Sequence, residues 1–345
     1  LCAMGIFTWL FGSKLYSEPR PVLSKWFPEF ESKLPDQSGK VIVVTGCTTG
    51  TGHICALTCA KKGAHVVMLN RKSSRAEDAE RRIKEVAPQA TVETIECDLT
   101  SLASVRAAAA TLCDKFGTVG IDVLCCNAGV MALADVATVD GYDIQMQTNH
   151  LAHFALAKET FTLLEVAAKK RGEARIVNHS SGARHMAKTL EAKYLGPNGG
   201  NLGGDSKSML FGGSRWVRYG QTKLANSVWT QALHARLEAS GSAVKAVCAA
   251  PGLASTNLQV TTALDGGMSQ TWIMRWAQSA EDGTMPLLQC CLGEAVSAQF
   301  FEPSGRMAMW GPPSAVPELT AKETDAATTN MIWEMSESFC GEWKL

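Results

Sequence analysis

Short runs of β-branched and apolar residues alternate with helical patterns between residues 40 and 250. The helical patterns lie at about 53–63, 74–86, 102–116, 144–169 and from Tyr219 to about Ser240. Strands that alternate with helices of this length form βαβ units, in which neighbouring strands are parallel. The order therefore predicts an α/β fold, a single doubly wound domain with a central parallel sheet flanked by helices on both faces. The strand candidates are KVIVVTG (40–46), AHVVMLN (64–70), TVETIEC (91–97), IDVLCC (121–126), ARIVNHS (174–180) and AVKAVCAA (243–250).

The composition allows one large domain and argues against a nucleic-acid partner. The chain has 345 residues, of which 46% are hydrophobic, so it can bury an extensive core. Lys+Arg and Asp+Glu are both 33, which leaves no basic excess for a phosphate backbone. Because no Pro/Ser-rich linker interrupts residues 40–250, one domain over 39–345 is the economical prediction. It includes an insertion at about 184–216 and a C-terminal substrate-side region at about 253–345, which is expected to cover one end of the sheet.

The first 38 residues are predicted to form an apolar segment and an irregular lead-in. LCAMGIFTWLFG (1–12) is apolar but shorter than the roughly 20 residues that span a bilayer. Three interpretations stay open: the remnant of a signal or anchor, an interfacial segment that contacts a membrane or a partner, and a helix packed on the domain. Membrane proximity is slightly favoured. Residues 13–39 contain four prolines and are predicted to be irregular.

The twelve cysteines follow neither a metal-site spacing nor the density of a disulfide scaffold. Cys55 and Cys59 share one helix face, and no second pair is spaced to complete a zinc site. We therefore expect no metal, reduced thiols and an intracellular, reducing compartment. His150, His153 and His179 are expected to be packed or capping residues, since no acidic residue is spaced to complete a metal set.

A glycine-rich turn joins the first strand to the first helix. In TGCTTGTGH, Gly46, Gly50 and Gly52 have the spacing G-x-x-x-G-x-G. Glycines at such a turn let the backbone approach a pyrophosphate, and the helix that follows offers its N-terminal N–H groups. A glycine triplet alone is a weak signal. Its place in the first βα turn, however, predicts dinucleotide binding and a Rossmann domain.

The end of the second strand indicates which dinucleotide is preferred. An acidic residue about 20 positions after the glycines would bind the adenosine ribose of NAD, but this chain has Asn70, Arg71 and Lys72 there. Arg71 can pair with a 2′-phosphate that a carboxylate would repel, so NADPH is favoured over NAD. Asp98, which could accept from the adenine amino group, and the small residues of CNAGVMA (126–132) end two later strands at the same expected edge.

Tyr219 and Lys223 are four residues apart on a predicted helix and therefore share one face. A tyrosine with its ordinary pKa of about 10 is a poor acid or base at neutral pH, and a nearby ammonium lowers that pKa. Ser181 ends the fifth strand, where its hydroxyl could meet a substrate carbonyl. Asn149 lies in the long helix after the fourth strand, where a side-chain amide needs a partner. With a hydride donor, these groups form a complete carbonyl-reduction site.

In this order, the motifs resemble the short-chain dehydrogenase/reductase family. Within it they are similar to the group of retinol dehydrogenases and WW-domain oxidoreductases, whose plastid relatives include protochlorophyllide reductase. The resemblance runs from about residue 39 to the end. The matching segments are GKVIVVTGCTTGTG (39–52), NR (70–71), CDLTSLASVR (97–106), DVLCCNAGVMA (122–132), TNHLAHF (148–154), RIVNHSS (175–181), YGQTKLAN (219–226), PGLASTNL (251–258) and the terminal MIWEMSESFCG.

The resemblance implies a catalytic tetrad of Asn149, Ser181, Tyr219 and Lys223. Tyr219 would donate the proton, and Lys223 would also hold the nicotinamide ribose. Ser181 would orient the carbonyl, and Asn149 would support a proton-relay water. The implied cofactor-binding residues, of which the last two border the nicotinamide, are Gly46, Thr48, Thr49, Gly50, Thr51, Gly52, Asn70, Arg71, Asp98, Leu99, Asn127, Ala128, Gly129, Tyr219, Lys223, Pro251 and Gly252.

Three features depart from the family pattern. Cys126 stands in place of the first Asn of NNAG, and Thr222 in place of the Ser before the lysine, but neither removes a catalytic group. The stretch between Ser181 and Tyr219 spans 38 positions and contains GPNGGNLGGDSKSMLFGG, where the family usually needs far fewer. A flexible lid, a partner-docking loop and a neutral insertion all stay open for it.

The leading prediction is an NADP(H)-dependent oxidoreductase that acts on the carbonyl or alcohol of a lipophilic small molecule, retinoid-, steroid- or lipid-like. The alternative from a different class is an accessory or structural subunit of a membrane assembly, which keeps the fold and NADPH binding without turnover. A light-dependent reductase of the protochlorophyllide type is the least favoured of the three. A homodimer is left open, and so is attachment to an organelle membrane of the ER, mitochondrion or plastid.

Overall fold

The computed structural model describes residues 19, 21–207, 212–256, 258 and 272–345. Its strands are β1 (Val41–Thr45), β2 (His65–Asn70), β3 (Val92–Glu96), β4 (Val123–Cys126), β5 (Ala174–His179), β6 (Val244–Ala249), β7 (Phe300–Pro303) and β8 (Pro313–Ala315). Its α-helices are α1 (Phe27–Lys33), α2 (Gly50–Lys61), α3 (Ser74–Val86), α4 (Leu102–Phe116), α5 (Ile144–Met146), α6 (Ala152–Arg171), α7 (Ser214–Ser240), α8 (Ala280–Leu292), α9 (Ala321–Thr324) and α10 (Ala326–Cys340).

These strands form one sheet in the order β3-β2-β1-β4-β5-β6-β7-β8. Neighbouring strands from β3 to β7 are parallel, and β8 is antiparallel to β7. The predicted parallel sheet is confirmed, and the six predicted strands lie within two residues of their predicted bounds. The chain runs from β1 to β2 and β3 on one side and returns to β4 on the other. A topological switch point, where ligands of such sheets bind, therefore lies between β1 and β4.

Two hydrophobic clusters cover the two faces of the sheet. Val43 and Leu124 belong to the cluster that includes residues of α4, α6, α7 and α10. Val44 and Cys125, their neighbours in sequence, belong to the cluster that includes residues of α1, α2 and α8. Successive side chains of a strand point to opposite faces, so each strand contributes to both clusters. This arrangement confirms the predicted doubly wound architecture.

A short helix precedes the first strand, where the sequence predicted an irregular lead-in. Pro28 lies in the first turn of α1, where its missing N–H breaks no helical hydrogen bond. Phe27 is buried in the cluster with α2 and α8. The Asp282 carboxylate accepts hydrogen bonds of 2.8–3.0 Å from the backbone N–H groups of residues 25–27. This part of the lead-in packs on the domain, whereas LCAMGIFTWLFG (1–12) lies outside the described residues.

The helix predicted over 144–169 is interrupted. A π-helical turn, Gln147–Leu151, separates α5 from α6. The apolar pattern continues through this turn, so periodicity could not reveal it. The turn carries Asn149, whose side chain bonds outside the helix, as described below. Turns of this kind are frequent at functional sites.

The C-terminal region extends the sheet, whereas the sequence predicted only that it would cover one end. Cys248 of β6 pairs with Phe300, and Phe301 pairs with Ala315. Both added strands are short and contain prolines, so they have no alternating pattern to recognise. Among the helices of the described ranges, none combines the length and the apolar character needed to cross a membrane.

Candidate active site

The predicted site residues follow the carboxyl ends of adjacent strands. The glycine-rich turn follows β1, Asn127 follows β4, and Ser181 comes two residues after β5. The long helix α7 brings Tyr219 and Lys223 to the same edge, where Lys223 Nζ donates to the carbonyl of the last β5 residue at 2.9 Å. Residues from distant parts of the sequence are thus assembled beside the switch point.

The glycine-rich turn has the shape that a pyrophosphate needs. Gly46 and Gly50 have φ values of 71° and 61°, a region that favours glycine. At Gly52, a Cβ would overlap the Gly46 carbonyl oxygen and the Asn127 amide. Thr49 is the N-cap of α2, and its side chain forms no capping hydrogen bond. The first N–H groups of α2 therefore follow a glycine turn, a geometry that can hold an anion such as a pyrophosphate.

Asn127 ties this turn to the neighbouring strands. Its Nδ2 donates to the carbonyl of Thr45 at 2.9 Å and to that of Gly46 at 3.3 Å. Its Oδ1 accepts a hydrogen bond from Thr51 Oγ1 at 3.0 Å and another from His179 Nδ1 at 2.9 Å. One side chain therefore joins the ends of β1 and β5 to α2. His179 is buried and bonded, as the sequence predicted for a packed histidine.

The outer end of the turn is lined by basic and amide side chains. The Asn70 Oδ1 accepts from Cys47 N at 2.7 Å, whereas its buried Nδ2 has no hydrogen-bond partner among the described residues. Arg71 is exposed, and Arg82 of α3 donates to the Thr48 carbonyl at 3.2 Å. Within the described ranges, neither arginine forms a salt bridge with a carboxylate. A free amide donor beside two available cations fits the ribose and 2′-phosphate of a dinucleotide. The sequence analysis missed Arg82.

Other predicted cofactor residues lie along the same edge. The Asp98 Oδ1 accepts from Thr100 N and Oγ1 at 2.9 and 2.8 Å, and Leu99 is buried next to it. At Gly46, a Cβ would come within 2.9 Å of Ala128, so the two loops are in close contact. Gly252 has a φ of 66°, and the neighbouring Pro251 carbonyl accepts from Gln278 at 2.8 Å.

Asn149, Gly129 and Lys223 converge at the centre of the site. A Cβ at Gly129 would lie 3.2 Å from Asn149 Oδ1 and 3.5 Å from Lys223 Nζ. The Asn149 amide accepts from Val130 N at 2.7 Å and donates to Val130 O and Thr222 Oγ1 at 2.9 and 2.8 Å. Asn149 is therefore held on both sides. The threonine that departs from the family pattern provides one of these contacts.

Tyr219 is buried, and its proton is held tightly. Burial raises the pKa of Tyr219 to about 12, and a hydrogen bond with Ser181 acts in the opposite direction. Burial also lowers the pKa of Lys223 to about 8, with Cys248 opposing this shift. Lys223 Nζ lies 5.7 Å from the centre of the tyrosine ring. The expected lowering of the tyrosine pKa by the ammonium is therefore wrong for this arrangement, because the cost of burying a phenolate is larger.

An apolar wall adjoins the phenol. Met131, Ala132, Trp216 and Tyr219 form a separate hydrophobic cluster, and the partly buried Leu258 packs on it. The Trp216 and Tyr219 rings meet edge to face, with their centres 6.1 Å apart. The surroundings of the tyrosine suit an apolar ligand.

Comparisons with known proteins agree with this geometry. The family model for short chain dehydrogenases matches residues 40–196. The short-chain dehydrogenase/reductase drtF of Aspergillus calidoustus is 34% identical over 243 residues, which cover 68% of this chain and 74% of that protein. The chain belongs to the short-chain dehydrogenase/reductase family. Human retinol dehydrogenase 13 is 33% identical over 228 residues, 66% of this chain and 63% of that one. The chain spans between 57% and 64% of the length of five other curated relatives.

A solved structure supports the fold. The crystal structure of an uncharacterized protein from Mycobacterium paratuberculosis has a TM-score of 0.70 and 30% identity, and the match covers 94% of this chain and all of that one. Asn149, Tyr219 and Lys223 of the predicted tetrad are buried, whereas Ser181 is half-buried. Their catalytic roles stay a prediction. The predicted resemblance to the retinol dehydrogenase group is confirmed.

Three thiols lie together in a place that sequence spacing did not show. The Sγ atoms of Cys55, Cys125 and Cys291 are within 4.8 Å of one another in the core, although they belong to α2, β4 and α8. Hydrogen bonds with Cys291 and Cys55, and then burial, raise the pKa of Cys125 well above its ordinary value. The three side chains are buried and pack together in the apolar core between α2, β4 and α8. The described cysteines are all free.

Proposed function

We propose that this short-chain dehydrogenase/reductase is an NADP(H)-dependent oxidoreductase that interconverts a carbonyl and an alcohol on a lipophilic small molecule. The observation that carries the proposal is the convergence of Ser181, Tyr219, Lys223 and Asn149 beside an apolar wall at the switch point. Each group alone has an ordinary structural explanation. Together they provide a proton donor, an orienting hydroxyl and a buried cation next to a dinucleotide cradle.

The high pKa of Tyr219 favours its role as a proton donor. With a pKa of about 12, the phenol is protonated across the neutral range. Its hydroxyl can therefore donate to a carbonyl oxygen as negative charge develops there, and the Ser181 hydroxyl can orient the same oxygen. Lys223 would stabilise the tyrosinate that remains, and the bonds to Val130 and Thr222 hold Asn149 in place beside it. The bound cofactor would supply or accept the hydride.

The preference for NADPH rests on the end of β2. Arg71, with Arg82 behind the turn, would neutralise a 2′-phosphate, and Asn70 Nδ2 would donate to the ribose. The lipophilic substrate is supported by the wall around Trp216 and by the name of human retinol dehydrogenase 13, a relative that acts on an apolar alcohol. A reducing compartment, an organelle membrane and a homodimer stay predictions.

The test is NADPH oxidation by the purified protein with a panel of aliphatic and retinoid aldehydes and ketones. We expect turnover with apolar carbonyls, and a fall in kcat of about 10²–10⁴-fold in Tyr219→Phe, because the general acid is removed. The dissociation constant for NADPH should stay within about threefold of wild type, since one hydroxyl is lost from a site with many contacts.

Tyr194→Phe is the matched control, because Tyr194 is also buried but lies in a 3₁₀ turn outside the tetrad. It should turn over like wild type. Full activity in Tyr219→Phe would contradict the proposed role of the phenol. Tight NADPH binding without turnover on any carbonyl would favour the accessory subunit instead.

A further inference from the structure

The glycine-rich segment before α7 is fastened to the residue next to the catalytic tyrosine. Arg218 is 1% exposed, and its Nη1 donates to the carbonyl oxygen of Gly204 at 2.8 Å and to that of Leu202 at 3.4 Å. Its Nη2 donates to the Leu133 carbonyl, in the loop after β4, at 3.2 Å. One guanidinium therefore bridges the segment 198–207, α7 and the β4 loop.

Three carboxylates surround this guanidinium. Asp143 Oδ2 lies 3.3 Å from Nε, and Asp135 Oδ2 lies 3.7 Å from Nη1. Asp205, on the segment itself, is half exposed and lies 3.8 Å from Nη2 and 3.5 Å from Nε of Arg215. Both Asp143 and Asp135 are largely buried, so removing the arginine alone would leave them without their shared cation.

The carboxylates also bind the segment's backbone. Asp135 Oδ2 accepts from the N–H of Leu202 at 2.7 Å and from that of Gly204 at 3.1 Å. In return, Asp205 Oδ1 accepts from Asp135 N at 2.6 Å. These contacts compensate for a glycine-rich sequence, whose backbone loses much conformational entropy when it is ordered. The part of the segment from 198 to 205 is thus a tied loop.

Trp216 connects the tied loop to the substrate wall. Its Nε1 donates to the Lys207 carbonyl at 3.2 Å, while its ring packs edge to face on Tyr219. Arg218 and Tyr219 are neighbours about 100° apart around the helix axis. One therefore faces the loop while the other faces the reacting centre. Arg218 and Trp216 therefore hold neighbouring parts of the same segment, Arg218 at Leu202 and Gly204 and Trp216 at Lys207.

We propose that Arg218 is a positioning residue that holds segment 198–207 and Trp216 as one wall of the substrate site, and so favours apolar carbonyl compounds whose chain packs along Trp216. This inference rests on the proposed function. Arg218 itself is unavailable to a substrate carboxylate, because its donors are occupied by carbonyl oxygens and its charge by aspartates. Arg218 therefore acts by fixing the shape of the substrate site and not by binding the substrate.

The experiment compares Arg218→Met with wild type on decanal and propanal. Both aldehydes would place their carbonyl at Tyr219, and only decanal has a long apolar chain to pack along the wall formed by Met131, Ala132 and Trp216. For decanal we expect KM to rise about tenfold with kcat within about threefold, since ground-state and transition-state contacts to the wall are lost together. For propanal both constants should stay within about twofold, and Arg218→Lys should be intermediate, because Lys keeps the charge but not the fork of donors.

A second readout does not depend on turnover. Trypsin cleavage after Lys207 reports whether the loop is tied, and we expect it to be at least tenfold faster in Arg218→Met. Because that variant leaves two buried aspartates without their cation, Arg218→Met/Asp143→Asn neutralises the more deeply buried of the two. It serves if the single variant does not fold, as judged by thermal melting. Arg236→Met is the matched control, since Arg236 lies on the same helix but packs on Trp333.

The outcomes separate this inference from the proposed function. Unchanged cleavage after Lys207, or an equal rise in KM for decanal and propanal, would overturn the role of Arg218. Absence of turnover by the wild-type protein on every carbonyl would overturn the proposed function and the substrate selection with it. Cleavage would then still decide whether Arg218 ties the loop.

Discussion

The two halves of the candidate site, the proposed cofactor side and the proposed substrate side, are built on different physical principles. On the cofactor side, the turn after β1 depends on backbone shape, with glycines at positive φ, a glycine without room for a Cβ, and one amide from Asn127 that joins the strands. On the substrate side, buried charges hold the structure. Arg218 ties the glycine-rich loop, and Arg184 ties the turn after Ser181 to the C-terminal region.

Arg184 forms ion pairs with residues that are distant in sequence. Arg184 Nη2 donates to Glu302 Oε2 of β7 at 2.9 Å, and its Nε lies 3.2 Å from Glu323 Oε1 of α9. The guanidinium also stacks on the Phe300 ring at 4.1 Å. Ser227 of α7 donates to the same Glu323 at 2.7 Å. Residues more than a hundred positions apart are thereby joined around α7.

The difference predicts different consequences of mutation. A turn whose shape depends on glycine is distorted when a side chain is added. We expect this distortion to stay local to the proposed cofactor site. A buried charge network fails when one partner is removed, because the remaining carboxylates keep their desolvation cost without their cation. Substitutions on the substrate side should therefore affect global stability more than those on the cofactor side.

The largest effect is expected for Arg184→Met. It leaves Glu302 and Glu323 without their cation and should lower the free energy of unfolding by about 3–5 kcal/mol. Urea denaturation followed by circular dichroism measures this as a lower midpoint with an unchanged slope. Lys33→Met, which breaks the exposed Lys33–Glu29 pair, is the control and should leave the midpoint unchanged. A midpoint for Arg184→Met equal to that of the control would contradict the comparison.

Gly52→Ala should have the next largest effect. Its Cβ would overlap the Gly46 carbonyl and the Asn127 amide, so we expect a loss of about 1–3 kcal/mol in the free energy of unfolding. Weaker NADPH binding, measured by calorimetric titration, should accompany it. Gly196→Ala is the matched control, because its Cβ would meet only Met335 Cε at an ordinary 3.6 Å. Wild-type NADPH affinity in Gly52→Ala would show that the turn does not form the cofactor site.

The smallest effect is expected for Arg71→Ser, since Arg71 is exposed and screened by solvent. The dissociation constant for NADPH should rise about tenfold while that for NADH changes little, because the lost interaction is with the 2′-phosphate alone. Fluorescence titration with both nucleotides gives the two constants. Arg81→Ser removes the same charge from a residue paired with Asp78 and Glu85, and it should leave both constants unchanged. An equal weakening of NADPH and NADH by Arg71→Ser would reject the preference for NADPH.

Local patterns predicted most of the sheet and the order of the site residues. The six strands predicted from β-branched runs are present, and the glycine turn lies where its spacing placed it. The two C-terminal strands were missed because a short stretch with prolines carries no alternation. The sequence does not predict α1, because the prolines of residues 13–39 indicate irregular structure, although Pro28 occupies a first turn that tolerates it.

The electrostatic state of the site was harder to predict. Spacing placed Lys223 near Tyr219 and suggested a lowered tyrosine pKa, but burial, which depends on the packing of Trp216 and Met131, raises that pKa to about 12. No periodic signal in the sequence predicts the π-turn that carries Asn149. The same is true of the hydrogen bonds by which Asn127 joins Thr45 of β1 and His179 of β5. These features depend on contacts between elements distant in sequence.

The doubly wound sheet, the glycine turn and the family could be predicted from the amino-acid order alone, because β-propensity, helical periodicity and turn chemistry act over a few residues at a time. How residues 202–207 are held could be seen only once the chain was folded. Arg218 looks like one more helical arginine until the fold surrounds it with Asp143, Asp135 and the carbonyls of the loop. The energy of a charge depends on what surrounds it, and in this protein those surroundings come from distant segments.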